Sequence, residues 1–424
     1  MAFMRVISGN PDLSYVLAKN PHSGMQARSI RRGTVYGWYP TPDSYCLNFI
    51  DSETETSFGP EQEQEFEYIN VTRYASPMAY LSMISEMLTT AFRKPNEKDV
   101  PALAAVEFET VYLSDLMLLD AYRKAYPQIV FMTEDVAKDI KSLSLTVHPS
   151  YSVTMRELLN ISLTMMMGMA FRSESDYVET SKEIAAKYIE CMNVVDAPYV
   201  VRRLMKNALF QDRQSFALLK PQLDQSRRHT LDLVYGNNQI ARRDAIKSVL
   251  QMEGRHVIDL GCGDGFYTDT IARHATAYYG VDTAEETLNV AKNKYGKIEK
   301  AKFFGSLPVA VAELPDGVPV TVLMTEVIEH MPLETAADLV IDAAATPGLE
   351  QMVITTPNQD FNHLYGMADG EVRHEDHDWE MGADAFRQWL TGLLPHMEIS
   401  FSQIGDGVDG IRPQLMAVVQ KKGE

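Results

Sequence analysis

Cysteine is scarce: Cys46, Cys191 and Cys262 are the three in a chain of 424 residues, and no two are neighbours. Three distant thiols exclude a disulfide framework. None lies in a CxxC or Cys/His ligand pattern, so each reads as a small buried apolar side chain. Such usage predicts a reducing, cytoplasmic setting. Long apolar runs are missing too. No window approaches ~18 apolar residues free of charge, which excludes a spanning helix and argues against a membrane partner. The opening MAFMRVISGNPDLSYVL has no apolar core after a basic start, so no secretory signal is expected. There is no internal repeat or low-complexity tract.

Positive charge is also short. The formal net charge is -19, and residues 251–424 hold 28 acidic against 12 basic side chains, while residues 1–250 hold 30 and 27. Binding to nucleic acid through counterion release needs Lys and Arg, so indiscriminate binding is disfavoured. A nucleic-acid enzyme of this composition needs a local basic track, a metal or a partner. One such track exists: ten Lys and Arg residues between Arg202 and Lys247 face four acids. It reads either as a solvated helix face or as a path for phosphates.

The length exceeds one ordinary core and predicts more than one domain. Residues 1–149 read as an α+β domain. VYGWYP, YCLNFI, FEYINV and VEFETVYL look like strands, and MAYLSMISEMLTTAF has helical spacing. Residues 150–225 read as a helical segment of the same region, containing MRELLNISLTMMMGMAF, KEIAAKYIECM and YVVRRLMKNALF. Its methionines, Met165, Met166, Met167 and Met169, fit pliable packing better than a soft-metal site, because no Cys or His clusters with them. Residues 226–424 alternate strand and helix: RHVIDLGCGDG, FYTDTIARHA, YYGVD, AEETLNVAKNKYG, VPVTVLMTEV and QMVITT. Alternation of this kind predicts a parallel, doubly wound sheet.

Within that domain a buried strand, Val257 to Leu260, runs into Gly261-Cys262-Gly263-Asp264-Gly265. Glycines allow a sharp turn and close approach of a ligand. Asp259 precedes the first glycine by two, and a second strand ends in Asp282, an acid placed to suit the two ribose hydroxyls of a nucleoside. The spacing is not GxGxxG, and Phe266 and Tyr267 put bulk where a diphosphate needs room. The pattern resembles the class I, Rossmann-like S-adenosylmethionine-dependent methyltransferases. In that class Gly305-Ser306-Leu307 falls at the adenine-contacting loop, although Ser306 also fits a plain turn.

A second constellation follows the strand VPVTVLMT. If residues 326–330 form one helical turn, Glu326, Glu329 and His330 share a face at i, i+3 and i+4. Two carboxylates and an imidazole suit Mn²⁺, Fe²⁺, Co²⁺ or Mg²⁺ better than a soft thiolate metal. A further ligand is expected from VRHEDHDWE, which holds His374, His377 and a dense set of acids. A solvated acidic loop is the other reading of that stretch.

EVIEHM, then ITTPNQDFN at 354–362, then VRHEDHDWE at 372–380 together resemble the RNA 3'-terminal ribose 2'-O-methyltransferases. Upstream, LSYVLAKNP, YASPMAYLSMISEMLTTAF and MRELLN with YVVRRLMKNALF are similar to the N-terminal domain of the bacterial RNA-repair branch. The resemblance implies metal ligands at Glu326, Glu329, His330 and His377, with Mn²⁺, Mg²⁺ or Co²⁺ bound. It implies S-adenosyl-L-methionine at Asp259, Gly261, Gly263, Asp282 and Ser306, and RNA contacts from Arg242 and Asn358. Its substrate would be an RNA 3' end with a free 2',3'-diol. Its partners would be a polynucleotide kinase-phosphatase and an RNA ligase, the latter docked and activated by the N-terminal domain. Trp379 stands where this family usually has Phe, Met381 replaces a Trp, and AFRSESDYV lacks the family's acidic-His-Tyr-Trp segment.

Two other readings compete. A small-molecule diol O-methyltransferase would also chelate its substrate through a metal, but has no use for VRHEDHDWE or the long N-terminal half. A ligase-activating subunit with an idle methyltransferase half would not need an intact ligand set. Under the enzyme reading His330, His377 or Glu329 is the group that handles the proton.

Overall fold

The computed structural model describes residues 2–30, 33–51, 74–113, 116–172, 182–210 and 212–422. The chain divides into two units, Met1–Arg228 and His229–Glu424. FEYINV, expected as a strand, and most of AFRSESDYV lie outside the described residues.

The first unit is built on seven strands: β1 (Ala2–Ser8), β2 (Gln26–Ile30), β3 (Gly33–Thr41), β4 (Ser44–Asp51), β5 (Ala104–Tyr112), β6 (Ile129–Ala137) and β7 (Ile140–Val147). They pair in the order β2-β3-β4-β1-β5-β7-β6, and every pairing is antiparallel. Alternation sets the faces: Ala2, Met4, Val6 and Ser8 of β1 are buried, and the residues between them are less so. The expected helix 78–92 is two helices, Pro77–Met87 and Thr89–Arg93. Leu88 leaves helical geometry at φ -111° and ψ 17°. Thr89 spends its hydroxyl on the carbonyl of Ser85, a back-bond that disturbs a helix.

The helical segment is no separate body. Helix Met155–Arg172 touches β5, β7 and the helices Pro77–Met87, Lys182–Val194 and Tyr199–Leu209. Met165, Met166, Met167 and Met169 are all buried within it, so a helix apolar nearly all round forms the hub. Two of the ten residues of the basic track, Arg202 and Lys206, are buried, whereas Arg213, Arg227 and Lys247 are exposed. Arg202 donates to the carbonyls of Ala197 and Leu223, to Asn193 Oδ1 and to Asp196 Oδ1. Removing one partner of a buried pair strands the other's charge. Arg202→Met is therefore expected to cost about 3–5 kcal/mol of unfolding free energy for this unit, read from urea unfolding of the full chain. A loss under 1 kcal/mol would contradict that role.

The second unit carries β8 (Leu231–Asp232), β9 (His256–Leu260), β10 (Ala277–Val281), β11 (Ala301–Phe304), β12 (Val320–Thr325), β13 (Leu349–Pro357), β14 (Met397–Ile404), β15 (Gly407–Val408) and β16 (Gln414–Lys421). Seven of them form one sheet in the order β11-β10-β9-β12-β13-β16-β14. Strands β11 to β13 run parallel, and β16 and β14 are antiparallel additions. The strands are apolar on both faces, as a covered parallel sheet requires. Ile258, Val322 and Ile354 belong to one core layer, and Val257, Leu323 and Val353 to the other. This is the class I methyltransferase architecture expected for residues 226–424. Strand order reverses between β9 and β12, and ligands of open α/β sheets bind outside the carboxyl ends at such a point.

Candidate active site

The glycine-rich turn leaves β9 at the reversal. Gly261 has φ +78°, and a Cβ there would lie 2.4 Å from Val327 Cγ2, so only glycine lets this turn close on the segment after β12. Gly263 has φ +52° and nothing within 4 Å of a Cβ position, so its open side can receive a ligand. Its N–H donates to Asp282 Oδ2 at 2.8 Å, and Asp282 Oδ1 accepts from Ala284 N–H at 2.8 Å. Asp282 thus stands at the end of β10 beside the turn, and Ser306 precedes helix Leu307–Ala312 after β11. Gly261, Gly263, Asp282 and Ser306 therefore follow three adjacent strand ends.

Asp259, expected to serve the cofactor directly, has no exposed surface. It lies beneath the turn, where Tyr278 Oη–H donates to its Oδ2 at 2.7 Å and, among the described residues, Oδ1 has no hydrogen-bond partner. Burial, with Asp282 nearby, pushes its carboxyl up from 3.8 to about 7. A carboxyl raised on folding contributes stability that is present below its unfolded value and lost as pH rises through the folded value. Asp259→Asn removes that loss. The melting temperature of the variant relative to the parent should climb between pH 5 and pH 8, and a flat difference would refute the assignment.

Glu326 begins the second constellation, and the single helical turn expected over 326–330 is not there. Glu326 has φ +54°, Val327 is extended in φ at -125°, and a 3-10 turn covers only Ile328–His330. The irregular backbone still gathers three groups. Glu329, His330 and His377 each offer a ligand atom, all within 4.8 Å of one another. Glu329 is fully buried. Thr356 Oγ1–H donates to its Oε2 at 3.1 Å, and among the described residues its Oε1 has no hydrogen-bond partner. Burial, reinforced by Glu326, holds the carboxyl well above the ordinary 4.5.

The two imidazoles are held from behind. His377 Nδ1 pairs with Glu380 Oε1 at 2.7 Å. His330 Nδ1 faces the Asp376 carbonyl at 3.1 Å and its carboxylate at 3.2 Å. Each ring thus keeps Nε2 for another partner, the arrangement found where carboxylates orient metal-bound histidines. Glu380 is itself fixed by Asn362 Nδ2 at 2.6 Å and Arg373 N–H at 2.8 Å. The loop is pinned to the turn by Asp378 N–H donating to the Glu329 carbonyl at 2.8 Å and by Trp379 Nε1–H donating to the Met331 carbonyl at 2.8 Å. VRHEDHDWE is therefore no plain solvated loop. His374 stacks edgewise on His377 at 5.1 Å but does not join the trio. A buried carboxylate and two oriented imidazoles whose ligand atoms lie within 4.8 Å of one another fit a divalent cation of mixed O/N preference.

Glu326 stands apart from the three. Its carboxylate receives Thr355 Oγ1–H at 3.1 Å, Gln414 Nε2–H at 3.0 Å and the Arg242 guanidinium at 2.8 Å. Arg242, expected at the RNA end, is thus engaged with the acid expected at the metal. Asn358 is fully buried, and its amide donates to the Arg412 carbonyl at 2.8 Å while its Oδ1 accepts from Asp360 N–H. It shapes the chain after β13 and presents no surface to RNA, which corrects its expected role. Thr356, Glu380, Asn362 and Arg373 escaped the sequence reading as supports. They lie inside the segments quoted for the resemblance, but their pairing depends on how a loop folds back.

Residues 3–228 match the family described as the Hen1 N-terminal domain, and residues 236–394 match a methyltransferase domain. The chain is 28% identical over 191 residues to a small RNA 2'-O-methyltransferase of Caenorhabditis elegans, covering 38% of this chain and 43% of the relative. It is 26% identical over 188 residues to the Arabidopsis thaliana protein of that name, covering 38% of this chain and 20% of the relative. The chain thus spans less than half the length of these curated relatives. Among solved structures, a chain of the Pnkp1/Rnl/Hen1 RNA repair complex superposes with a TM-score of 0.79 at 21% identity, covering 99% of this chain and 100% of that one. That likeness shows the fold of both units. Since the first match covers more than half of the sequence, the chain belongs to the Hen1 family.

Proposed function

We propose that the protein transfers a methyl group from S-adenosyl-L-methionine to the 2'-hydroxyl of the 3'-terminal ribose of RNA, with a divalent cation, Mn²⁺ before Mg²⁺ or Co²⁺, held at Glu329, His330 and His377. The observation that carries this reading is the convergence of those three side chains beside the glycine-rich turn at the point where strand order reverses. The relatives' activity and the solved complex support extending it to RNA repair beside a polynucleotide kinase-phosphatase and an RNA ligase. Among the described residues no helix is long and apolar enough to cross a membrane, and a cytoplasmic setting fits the three buried free cysteines.

A ribose hydroxyl is a poor nucleophile because its proton is tightly held. A divalent cation, when bound, supplies the positive charge that acidifies the terminal hydroxyls and orients them. The protein's own contribution is largely positioning. Thr356 fixes one oxygen of Glu329 and leaves the other for the cation. Glu380 fixes the His377 ring. Asp376 at the Nδ1 of His330 orients that ring in the same way and leaves its Nε2 for the cation. Gly263, with its Cβ side open, leaves room for the methyl donor to approach the turn closely.

The test is transfer of labelled methyl to a short RNA with Mn²⁺, with a chelator arm and with the same RNA ending in 2'-deoxyribose. Transfer confined to the diol-ended, cation-supplied arm is expected. Transfer to a small catechol but to no RNA would overturn the substrate class.

A further inference from the structure

We propose that the first unit holds a pocket for a small phosphate monoester, gripped by Arg227 and Arg228. It lies wholly within residues 126–228 and shares no residue with the cluster at the end of β12. A cavity of 260 Å³ opens between the end of helix Leu116–Ala125, the first turns of helix Met155–Arg172 and the end of helix Lys182–Val194. Ile161, Val194 and Val195 give it apolar walls. That volume lies just below the range of about 300–1,000 Å³ usual for drug-sized ligands, so it suits a phosphorylated sugar better than a dinucleotide or a peptide.

The charges around the cavity are unequally committed. Both acids in its lining are occupied. Asp196 accepts from Ser226 Oγ–H at 2.8 Å, from Arg227 N–H at 3.1 Å and from the buried Arg202 at 3.3 Å. Glu157 Oε2 accepts from Thr154 N–H at 3.0 Å while Thr154 Oγ1 accepts from Glu157 N–H at 3.2 Å, a capping box. The arginines are not so engaged. Arg228 is fixed from behind: its Nε–H donates to the Asp196 carbonyl at 2.9 Å, and its guanidinium lies over the Tyr126 ring at 5.1 Å. Among the described residues its two Nη atoms have no hydrogen-bond partner, and neither has the guanidinium of Arg227. A guanidinium held by Nε with both Nη groups free presents the fork that matches a phosphate oxyanion. Holding it before the ligand arrives also lowers the ordering cost of binding. The half-buried Gln128 amide in the same lining supplies a further donor. Residues 226–228 close the first unit, so an occupied pocket secures that segment to its helices.

The test is isothermal titration of the full chain with ribose 5-phosphate, inorganic phosphate, ribose and a short RNA, for the parent, Arg227→Gln, Arg228→Gln and Lys138→Gln. Saturable binding of ribose 5-phosphate is expected, weakened about tenfold or more in Arg227→Gln by loss of a charged hydrogen bond. Arg228→Gln should lose at least as much. Inorganic phosphate should bind more weakly than the monoester, since it leaves the apolar walls bare, and ribose should not bind. The Arg227 side chain has no partner to lose, so Arg227→Gln keeps the parent's melting temperature and decides the matter even if Arg228→Gln misfolds. Lys138→Gln removes an exposed charge outside the pocket lining and should match the parent. Absence of saturable monoester binding by the parent overturns the proposal. So does parent-like affinity in folded Arg227→Gln, equal affinity for inorganic phosphate, or an equal loss in Lys138→Gln, which would make the effect one of general charge. Arg227-dependent binding of the RNA without binding of the monoester would assign the pair to a polymer backbone and overturn it as well.

Discussion

Glu329→Gln should lower methyl transfer on the order of 10³-fold and at the same time raise the melting temperature of the cation-free protein. Both effects come from one side chain. Its carboxyl is fully buried and accepts a hydrogen bond from Thr356, and among the described residues Oε1 has no hydrogen-bond partner. Its acidity is weakened by burial and by Glu326, in that order. Because the folded value is raised, the stability the group contributes is present below pH 4.5 and is lost as pH climbs. A neutral amide of the same shape escapes that loss, so the gain should grow with pH and reach ~2 °C or more near neutrality. It also removes an anionic ligand. Activity assays and melting curves on the same preparations check both halves. An inactive variant that is also less stable would point to a structural role.

Glu380→Gln should weaken Mn²⁺ binding about 10- to 100-fold, the usual range for a residue behind a ligand. Glu380 touches no proposed substrate. It accepts from Asn362 Nδ2, pairs with His377 Nδ1 and sits at the centre of buried polar contacts that include Arg373. The amide retains one acceptor but loses the charge that sets the His377 tautomer and aims Nε2 at the cation. Isothermal titration with Mn²⁺ measures this. The loss should be partly recovered at saturating metal, as expected of a positioning residue. An affinity equal to the parent's would show that His377 needs no such support.

Much of the second unit was legible in the sequence, for local reasons. Val257 to Leu260 and Val320 to Thr325 are mostly apolar, β-branched runs that suit a strand covered on both faces, and Gly261 and Gly263 announce a turn. Glu329 and His330 stood out by residue type and spacing, whereas His377 entered through the family resemblance; the structure brings the three side chains together. What failed was what depends on contacts distant in sequence. Helical spacing suggested that Glu326 joins its neighbours, yet Arg242, Gln414 and Thr355 reach it from three other segments and hold it away. Asp259 and Asn358 carry polar side chains in motif positions, but burial turns them into supports. Arg202 and Lys206 read as part of a basic track because composition is blind to which helix face packs inward. In the first unit β3, β4 and β5 were legible as strands, whereas β1, β2, β6 and β7 were not singled out. The strand order of that unit was not legible, since β1 lies between β4 and β5 through pairings that no short-range signal encodes.

The central claim is that the cluster at the end of β12 directs methyl transfer to the terminal ribose. The most direct measurement is mass spectrometry of nucleosides released by complete digestion of the RNA product made with Mn²⁺. The account predicts a single 2'-O-methyl nucleoside derived from the 3' end, absent when a chelator is present. A methylated base, an internal methyl group, or equal transfer in chelator would contradict it.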